Sequence, residues 1–247
     1  MVGKIKRLYT IGDSWTYGME LENPKKESWP SVLSKELNCE LVNDAQCGGP
    51  NDWMFRRTIE WTSQQKSFDD TIVIVAWSEP NRREENFNPV VYGTKLWEKV
   101  IEYFYNDELA HYKSVCYMVT LQEFLKSKGI RYLFFQPWDD ISGSEKMLQK
   151  MRTNKGKFSD WLTTTEGQFY PKKLGIGDIL KNIDKKYIIG PRVMDYLEEY
   201  DTRKIMYRKG KNVLGDETTG HPNKDEHKII VKIKNGIVLS TDNYYKT

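Results

Sequence analysis

The chain has 247 residues, a length that suits one α/β domain, and 13% of them are aromatic, which offsets a modest apolar content of 38%. A protein of this composition can bury a core and is not intrinsically disordered. Its 38 basic and 35 acidic residues leave a net charge of only +3, which argues against a nucleic-acid partner.

Cysteine content and hydropathy exclude further classes. The three cysteines are too few and too scattered for a disulfide framework or a zinc site. No stretch approaches the about 20 apolar residues of a membrane span, and Lys4, Lys6 and Arg7 interrupt any signal-peptide pattern at the N-terminus. We therefore expect a soluble, cytoplasmic protein with no membrane partner.

Strand and helix patterns alternate along the first half of the chain. In chain order they predict a strand over 5–12, a helix capped by Ser28 with Pro30 in its first turn, a strand over 40–43, a helix over 52–65, a strand over 71–77, a helix through 115–125 and a strand over 131–136. The segment 71–77 is continuously apolar and β-branched, as expected of a parallel strand covered on both faces. The alternation predicts a parallel sheet with helices on both sides.

The second half of the chain is less regular. Residues 139–186 are polar and weakly periodic, and we interpret them as an irregular insertion within one domain. Residues 187–189 are predicted to form the last core strand. A final helix should begin at Asn223, which forms a capping pattern with Glu226, and should end before Gly236.

The first predicted strand runs into Gly12-Asp13-Ser14. Ligands bind beyond the carboxyl ends of the strands in a parallel α/β sheet, so a serine at this position is placed for chemistry. Serine becomes a nucleophile only when a base lies within hydrogen-bonding reach. The alternative is a turn in which the Asp or Ser serves as a cap.

Histidine is the natural base for such a serine, and the chain has three. His221 precedes the predicted final helix, so its ring should project from a loop. His227 lies within that helix, where a packing or hydrogen-bonding role is the commoner one. His111 lies in a polar stretch with no evident partner. His221 is therefore the candidate base.

Three segments together resemble the sequence blocks of one enzyme family. Residues 9–18, YTIGDSWTYG, resemble the first block of the SGNH, or GDSL-type, hydrolases. Residues 41–49, LVNDAQCGG, resemble the second block. His221-Pro222-Asn223 with His227 is similar to the fifth block, with Glu226 in place of a glycine. The blocks arrive in family order, which makes the joint match more specific than any one of them.

This resemblance implies a three-layer α/β/α, flavodoxin-like fold with a parallel sheet of about five strands. It implies an esterase that works by acyl transfer, with Ser14 as nucleophile and His221 as base. The oxyanion hole would include the backbone N–H groups of Ser14 and Gly48, with Gly49 as the alternative to Gly48. No metal or organic cofactor is implied.

Two family positions hold other residues in this chain. The third block usually supplies an oxyanion-hole Asn, but that register reads Ala-Trp-Ser-Glu, which leaves Ser78 or Asn81 as the candidate donor. The acid usually lies three residues before the histidine, where this chain has Thr218. Asp216, slightly further upstream, is the candidate acid that orients the imidazole.

A closer resemblance is to a bacteriophage-type branch of the family. That branch favours Asn-Asp and then Arg after the glycine loop, and Trp-Ser/Thr-x-Pro-x-Arg after the third strand. This chain has Asn51-Asp52 followed by Arg56 and Arg57, and WSEPNR over 77–82. A phage-encoded product in a bacterial host is the corresponding expectation.

The candidate substrate-binding residues adjoin the predicted site and are Asp13, Trp15, Asn51 and Arg82. An arginine here binds an anionic substrate group or, alternatively, pairs with neighbouring acids such as Glu79. Tryptophans near the site, Trp53 and Trp77 among them, stack on a sugar or, more commonly, fill the core.

The substrate class follows only from bulk properties. An aromatic-rich, polar chain without an evident groove for long acyl chains favours a small-molecule or glycan ester, in particular an O-acylated (acetylated) carbohydrate. Fold alone does not choose among such substrates. The alternative is a non-catalytic binding or structural protein on an eroded SGNH fold.

Overall fold

A computed structural model describes residues 4–80, 82, 107–135, 179, 181–184, 187–189, 222, 224–225, 227–228 and 230–231. Its elements are β1 Arg7–Ile11, α1 Ser14–Tyr17, α2 Pro24–Glu27, α3 Trp29–Leu37, β2 Glu40–Asn43, α4 Asn51–Ser63, β3 Thr71–Ala76, α5 Asp107–Ser127, β4 Arg131–Phe135 and β5 Ile188–Ile189. The described residues among 224–231 are also helical.

The sheet has five strands in the order β2-β1-β3-β4-β5, and every neighbouring pair is parallel. Tyr9 of β1 is in register with Val42 of β2 and Val73 of β3. The carboxyl ends of these three strands therefore meet at one edge of the sheet. The predicted parallel sheet of about five strands is confirmed.

Side chains alternate between the two faces of the sheet, as the period of a β-strand requires. On β3, Val73 and Val75 pack against α4 and α5, whereas Ile72 and Ile74 pack on the other face. The residues that cover that other face come from α3 and the last helix: Trp29, Leu33, Ile230 and Val231. Helices thus cover both faces, and the three-layer α/β/α arrangement is confirmed.

Most predicted elements are present, with some changes at their ends. α5 begins at Asp107, earlier than the apolar spacing indicates, and the short helices α1 and α2 were not predicted. Ser28 occupies the N-cap position of α3, but its hydroxyl lies 3.1 Å from Ser31 Oγ and does not cap a backbone N–H. Asn223 and Glu226, and nearly all of 139–186, lie outside the described residues.

The helices in the described part of the chain include none that is both long and apolar enough to cross a membrane.

Candidate functional site

Ser14 is the first residue of α1, directly beyond the carboxyl end of β1. Asp13 is the N-cap of this helix, and its Oδ1 accepts a hydrogen bond from Trp15 N at 3.1 Å. Gly18 ends the helix after a single turn with a φ of 88°, a conformation that favours glycine. Ser14 is 6% exposed, so it lies just below the surface at the sheet edge.

The turn before Ser14 is packed too closely for any side chain at position 12. A Cβ on Gly12 would lie 2.2 Å from Thr16 Oγ1 and 2.9 Å from Ala76 Cβ. Glycine therefore lets β1 turn into α1 while α1 stays against β3. This close packing fixes where Ser14 emerges from the sheet.

The loop after β2 lies against the same turn. Gln46 N donates to Gly12 O at 3.0 Å, and a Cβ on Gly49 would lie 3.0 Å from Gly12 O. Gly48, between them, has a φ of 73°. The loop that resembles the second family block is thus held beside the residue that opens the Gly-Asp-Ser turn.

Within the described part of the chain, no hydrogen bond is made by Ser14 N–H or by Gly48 N–H. The Ser14 hydroxyl likewise has no hydrogen-bond partner there. Unpaired backbone donors near a surface are available to bind an anionic oxygen.

The Asp13 carboxylate is fully buried and connects β1 to the segment after β3. Ser78 Oγ donates to Asp13 Oδ2 at 3.0 Å, and Arg82 Nη1 donates to the same oxygen at 3.1 Å. Arg82 also pairs with Glu79 at 3.5 Å. A buried carboxylate needs such compensation, because an unpaired charge in the interior is very costly.

Asn51, at the beginning of α4, holds Ser78 from the other side. Ser78 N donates to Asn51 Oδ1 at 2.7 Å, while Asn51 Nδ2 donates to Ser78 O at 3.0 Å and to Ser114 Oγ at 3.1 Å. Both the amide and the carbonyl of Ser78 are thereby fixed. The ends of β1 and β3 and the start of α4 form one hydrogen-bonded unit beneath the site.

These contacts correct part of the predicted substrate-binding set. Asp13, Trp15 and Asn51 are 0%, 1% and 2% exposed, so their side chains offer no surface to a substrate. Trp15 packs in the core beside Trp29, which matches the core-filling alternative. Arg82 is half-buried and pairs with Asp13 and Glu79, which matches the ion-pair alternative.

The candidate base and acid, His221 and Asp216, and the candidate donor Asn81 lie outside the described residues. The helix that follows His221 is described in part. His227 is fully buried, and its Nδ1 accepts a hydrogen bond from Trp29 N at 3.1 Å. The expected packing and hydrogen-bonding role of His227 is confirmed.

An ion pair also ties this helix to α2. Lys224 Nζ lies 2.6 Å from Glu27 Oε1, and the hydrogen bond from Lys224 lowers the pKa of Glu27.

An open cavity of about 520 Å³ lies beside the Gly-Asp-Ser turn. It is lined by Tyr17, Asn43, Asp44, Ala45, Gln46, Cys47, Trp53 and Arg57. Sequence reasoning singled out only Trp53 and Arg57 from this set. The available signal was the position of Tyr17 in the first family block and of residues 43–47 in the second.

The charged groups in the cavity wall are already paired. Arg57 donates to Asp44 Oδ2 at 2.9 Å and to Glu60 Oε2 at 2.9 Å, and Tyr9 Oη donates to Asp44 Oδ2 at 3.2 Å. Burial and the Asp44 carboxylate raise the pKa of Tyr9 far above its ordinary value. Burial opposes the charge of Arg57, but Asp44 and Glu60 outweigh it and raise its pKa.

Cys47 is the one thiol among the described residues that line the cavity. Burial and the negative charge of Asp13 raise the pKa of this thiol, so it stays protonated near neutral pH and is a weak nucleophile. In the described part of the chain, no group of three or more His, Cys, Asp or Glu side chains is arranged to hold a metal ion.

Comparison with solved structures identifies the fold. The chain superimposes on the psychrotrophic esterase EstA from Pseudoalteromonas sp., in a structure inhibited by monoethylphosphonate, with a TM-score of 0.52 and 11% identity over 96% of this chain and 99% of that one. A putative lipolytic protein of the G-D-S-L family, from Desulfitobacterium hafniense, superimposes with a TM-score of 0.50 and 16% identity over 94% of this chain and 99% of that one. TesA superimposes with a TM-score of 0.51 and 12% identity over 94% of this chain and 98% of that one.

The chain has the SGNH hydrolase fold. Likeness at this level of identity establishes the architecture, and the resemblance seen in the sequence blocks is confirmed to that extent. A family of unknown function (DUF6071) matches residues 16–96, and no curated protein matches the chain significantly. The closer resemblance to a phage-type branch of the SGNH hydrolases stays a prediction.

Proposed function

We propose that the protein is a serine hydrolase of the SGNH type that cleaves an ester by acyl transfer. The observation that carries this proposal is the surroundings of Ser14: a hydroxyl without a hydrogen bond to the described residues, next to its own unpaired N–H and beside the loop that bears the unpaired Gly48 N–H. A nucleophile and donors for an oxyanion are two of the components that acyl transfer requires at one place, together with a base.

The mechanism assigns each step to a residue of this chain. His221 takes the proton from Ser14 Oγ as the oxygen attacks the ester carbonyl carbon. The backbone N–H groups of Ser14 and Gly48 stabilise the negative oxygen of the tetrahedral intermediate. The C–O bond then breaks and the alcohol leaves with the proton from His221, while Asp216 orients the imidazole. Water, deprotonated by His221, hydrolyses the acyl-enzyme by the same steps.

Ser78 and Asn81 compete for the role of third oxyanion donor. The single proton of the Ser78 hydroxyl is donated to Asp13 in this structure, which favours Asn81. In this proposal Ser78 is a positioning residue, because it fixes the carboxylate that caps the helix of Ser14.

The proposed substrate is an O-acylated, in particular acetylated, carbohydrate. Support comes from the open cavity next to the site, whose lining offers amide, carboxylate and aromatic groups. Such a surface suits a hydrophilic alcohol part of the ester better than a long acyl chain.

A non-catalytic binding protein on the same fold is the second candidate. The observation in its favour is that Ser78 replaces the third-block Asn and its hydroxyl is engaged by a buried carboxylate. Mutant kinetics separate the two candidates, since only the hydrolase depends on Ser14.

The test uses p-nitrophenyl acetate and acetylated oligosaccharides with the full-length protein. Ser14→Ala and His221→Ala should each remove nearly all turnover, and the double variant should lose little more, because the two residues act as a unit. Asp216→Ala should lower turnover less than either of these single substitutions. Wild-type turnover should rise with pH through the ordinary histidine range of about 6 to 7, as the base loses its proton.

Ser63→Ala, on the exposed side of α4, is the matched control and should keep the wild-type rate. Reactive esters are hydrolysed slowly by surface groups, so the variants decide the result and not weak turnover alone. If Ser14→Ala keeps the wild-type rate on every ester and acetylated sugar, the binding-protein candidate replaces the hydrolase.

A further inference from the structure

We propose that the cavity lined by Tyr17 and Trp53 is a subsite for a neutral sugar ring, which holds the carbohydrate part of the substrate beside Ser14. The link to catalysis rests on the proposed function, whereas sugar binding itself does not. The cavity volume of about 520 Å³ falls within the range of about 300–1,000 Å³ typical of small-molecule sites.

Two aromatic side chains line this cavity on rigid elements. Tyr17 is the last residue of α1 and is 46% exposed. Trp53 is half-buried in the first turn of α4, and its ring packs so closely on Gly49 that a Cβ there would lie 3.1 Å from Trp53 Cζ3. Fixed, partly exposed rings supply apolar area at low entropic cost, which suits the C–H face of a sugar.

Polar groups with unused hydrogen-bonding capacity line the same cavity. Asp44 Oδ2 accepts from Tyr9 and Arg57, but no donor among the described residues reaches Asp44 Oδ1. The exposed amide of Gln46 has no partner among those residues either. A carboxylate oxygen and a planar amide are acceptors and donors for neighbouring hydroxyl groups.

The charge balance of the cavity selects a neutral ligand. The arginine among its described lining residues, Arg57, donates to the carboxylates of Asp44 and Glu60 at 2.9 Å each. A phosphate or carboxylate ligand would have to displace these partners and face the Asp44 charge. A polyol meets no such penalty, because it donates to the carboxylate and leaves the ion pairs intact.

The position of the cavity defines what it holds. Ser14 does not line it, so the ester itself lies outside. Tyr17 closes the helix that Ser14 begins, and Cys47 directly precedes Gly48, so the cavity borders both the proposed nucleophile and a proposed oxyanion donor. A ring bound there is therefore the one next to the acylated group.

Binding is tested first, by calorimetry on full-length Ser14→Ala protein, so that no turnover is needed. The probes are deacetylated neutral trisaccharides of xylose, glucose, galactose and N-acetylglucosamine. Tyr17→Ala and Gln46→Ala should each weaken binding about tenfold, the loss expected for one stacking contact or one hydrogen-bonded pair. Tyr17→Phe should bind nearly as tightly as its parent.

Met19→Ala is the matched control, since Met19 is also exposed and lies in the same turn but does not line the cavity. It should bind as tightly as its parent. The trisaccharides are used at up to 10 mM, roughly ten times a weak Kd of 1 mM. If none of them binds at that concentration, the subsite is overturned. Binding that Tyr17→Ala and Gln46→Ala leave unchanged also overturns it.

Kinetics with intact Ser14 separate the subsite from the proposed function. Tyr17→Ala should lower kcat/KM for the acetylated form of the bound trisaccharide about tenfold more than for p-nitrophenyl acetate. Equal losses on both esters contradict the subsite while leaving the hydrolase intact. Sugar binding that depends on Tyr17, together with hydrolysis that does not depend on Ser14, contradicts the proposed function alone.

Discussion

Ser78 Oγ donates a 3.0 Å hydrogen bond to the buried carboxylate of Asp13. This contact joins the second residue after β3 to the residue before Ser14, although the two are 65 positions apart. Arg82 reaches the same carboxylate oxygen, and Asn51 fixes the backbone of Ser78. Ser14 therefore directly follows an N-cap residue, Asp13, whose carboxylate is held in place by hydrogen bonds from Ser78 and Arg82.

Ser78→Ala tests whether that hydroxyl positions Asp13 or donates to the oxyanion. As a positioning group, its loss should lower the free energy of unfolding by about 1–3 kcal/mol, because the buried carboxylate loses a donor. The fall in kcat should then be less than about tenfold, whereas loss of an oxyanion donor costs about 10²–10³. Urea unfolding and ester kinetics measure the two effects. A hundredfold fall in kcat with unchanged stability would mean that Ser78 acts on the oxyanion.

His227→Ala and His221→Ala should have opposite effects. His227 is buried and accepts from Trp29 N, so its removal leaves a buried N–H without a partner and should cost about 1–3 kcal/mol of stability. The folded fraction should keep most of its esterase rate. His221→Ala should abolish turnover and leave the urea midpoint nearly unchanged. Loss of turnover in folded His227→Ala protein would show that the base has been misassigned.

Tyr9→Phe should change how stability depends on alkaline pH. Burial and Asp44 raise the pKa of Tyr9 above its ordinary value of 10.0, so the unfolded chain ionises this phenol first. The stabilising contribution of Tyr9 is complete below about pH 10 and is lost as pH rises further. The wild type should exceed Tyr9→Phe by about 1 kcal/mol at pH 8, through the hydrogen bond to Asp44. That difference should shrink as the pH rises above about 10. If the stability difference between the wild type and Tyr9→Phe stays constant over this pH range, the raised pKa of Tyr9 is contradicted.

The fold could be predicted from the sequence where periodicity is strong. The run at 71–77 is apolar after Thr71, and the strand Thr71–Ala76 takes up nearly all of it. Helices α1 and α2 have four residues each, too few to show a helical period. The N-terminal half of α5 was missed because its apolar spacing becomes regular only near Val115.

The site could be predicted only in part. The Gly-Asp-Ser turn and the glycine loop were found as neighbours, because parallel strands bring their carboxyl ends together. The burial of Trp15 and the engagement of Asp13 by Ser78 and Arg82 depend on packing between distant segments, which residue spacing does not encode. Tyr17 was missed for the same reason, since only the fold brings it to the same cavity as Trp53.

Labelling with a fluorophosphonate probe tests the central claim most directly. An activated serine attacks the phosphorus, fluoride leaves, and the phosphonyl group stays on Oγ, where peptide mass spectrometry locates it. We expect labelling at Ser14 in the wild type, none in Ser14→Ala, a strong reduction in His221→Ala, and wild-type labelling in Ser63→Ala. Folded wild-type protein that is not labelled at Ser14 under conditions that label a control serine esterase would contradict the account.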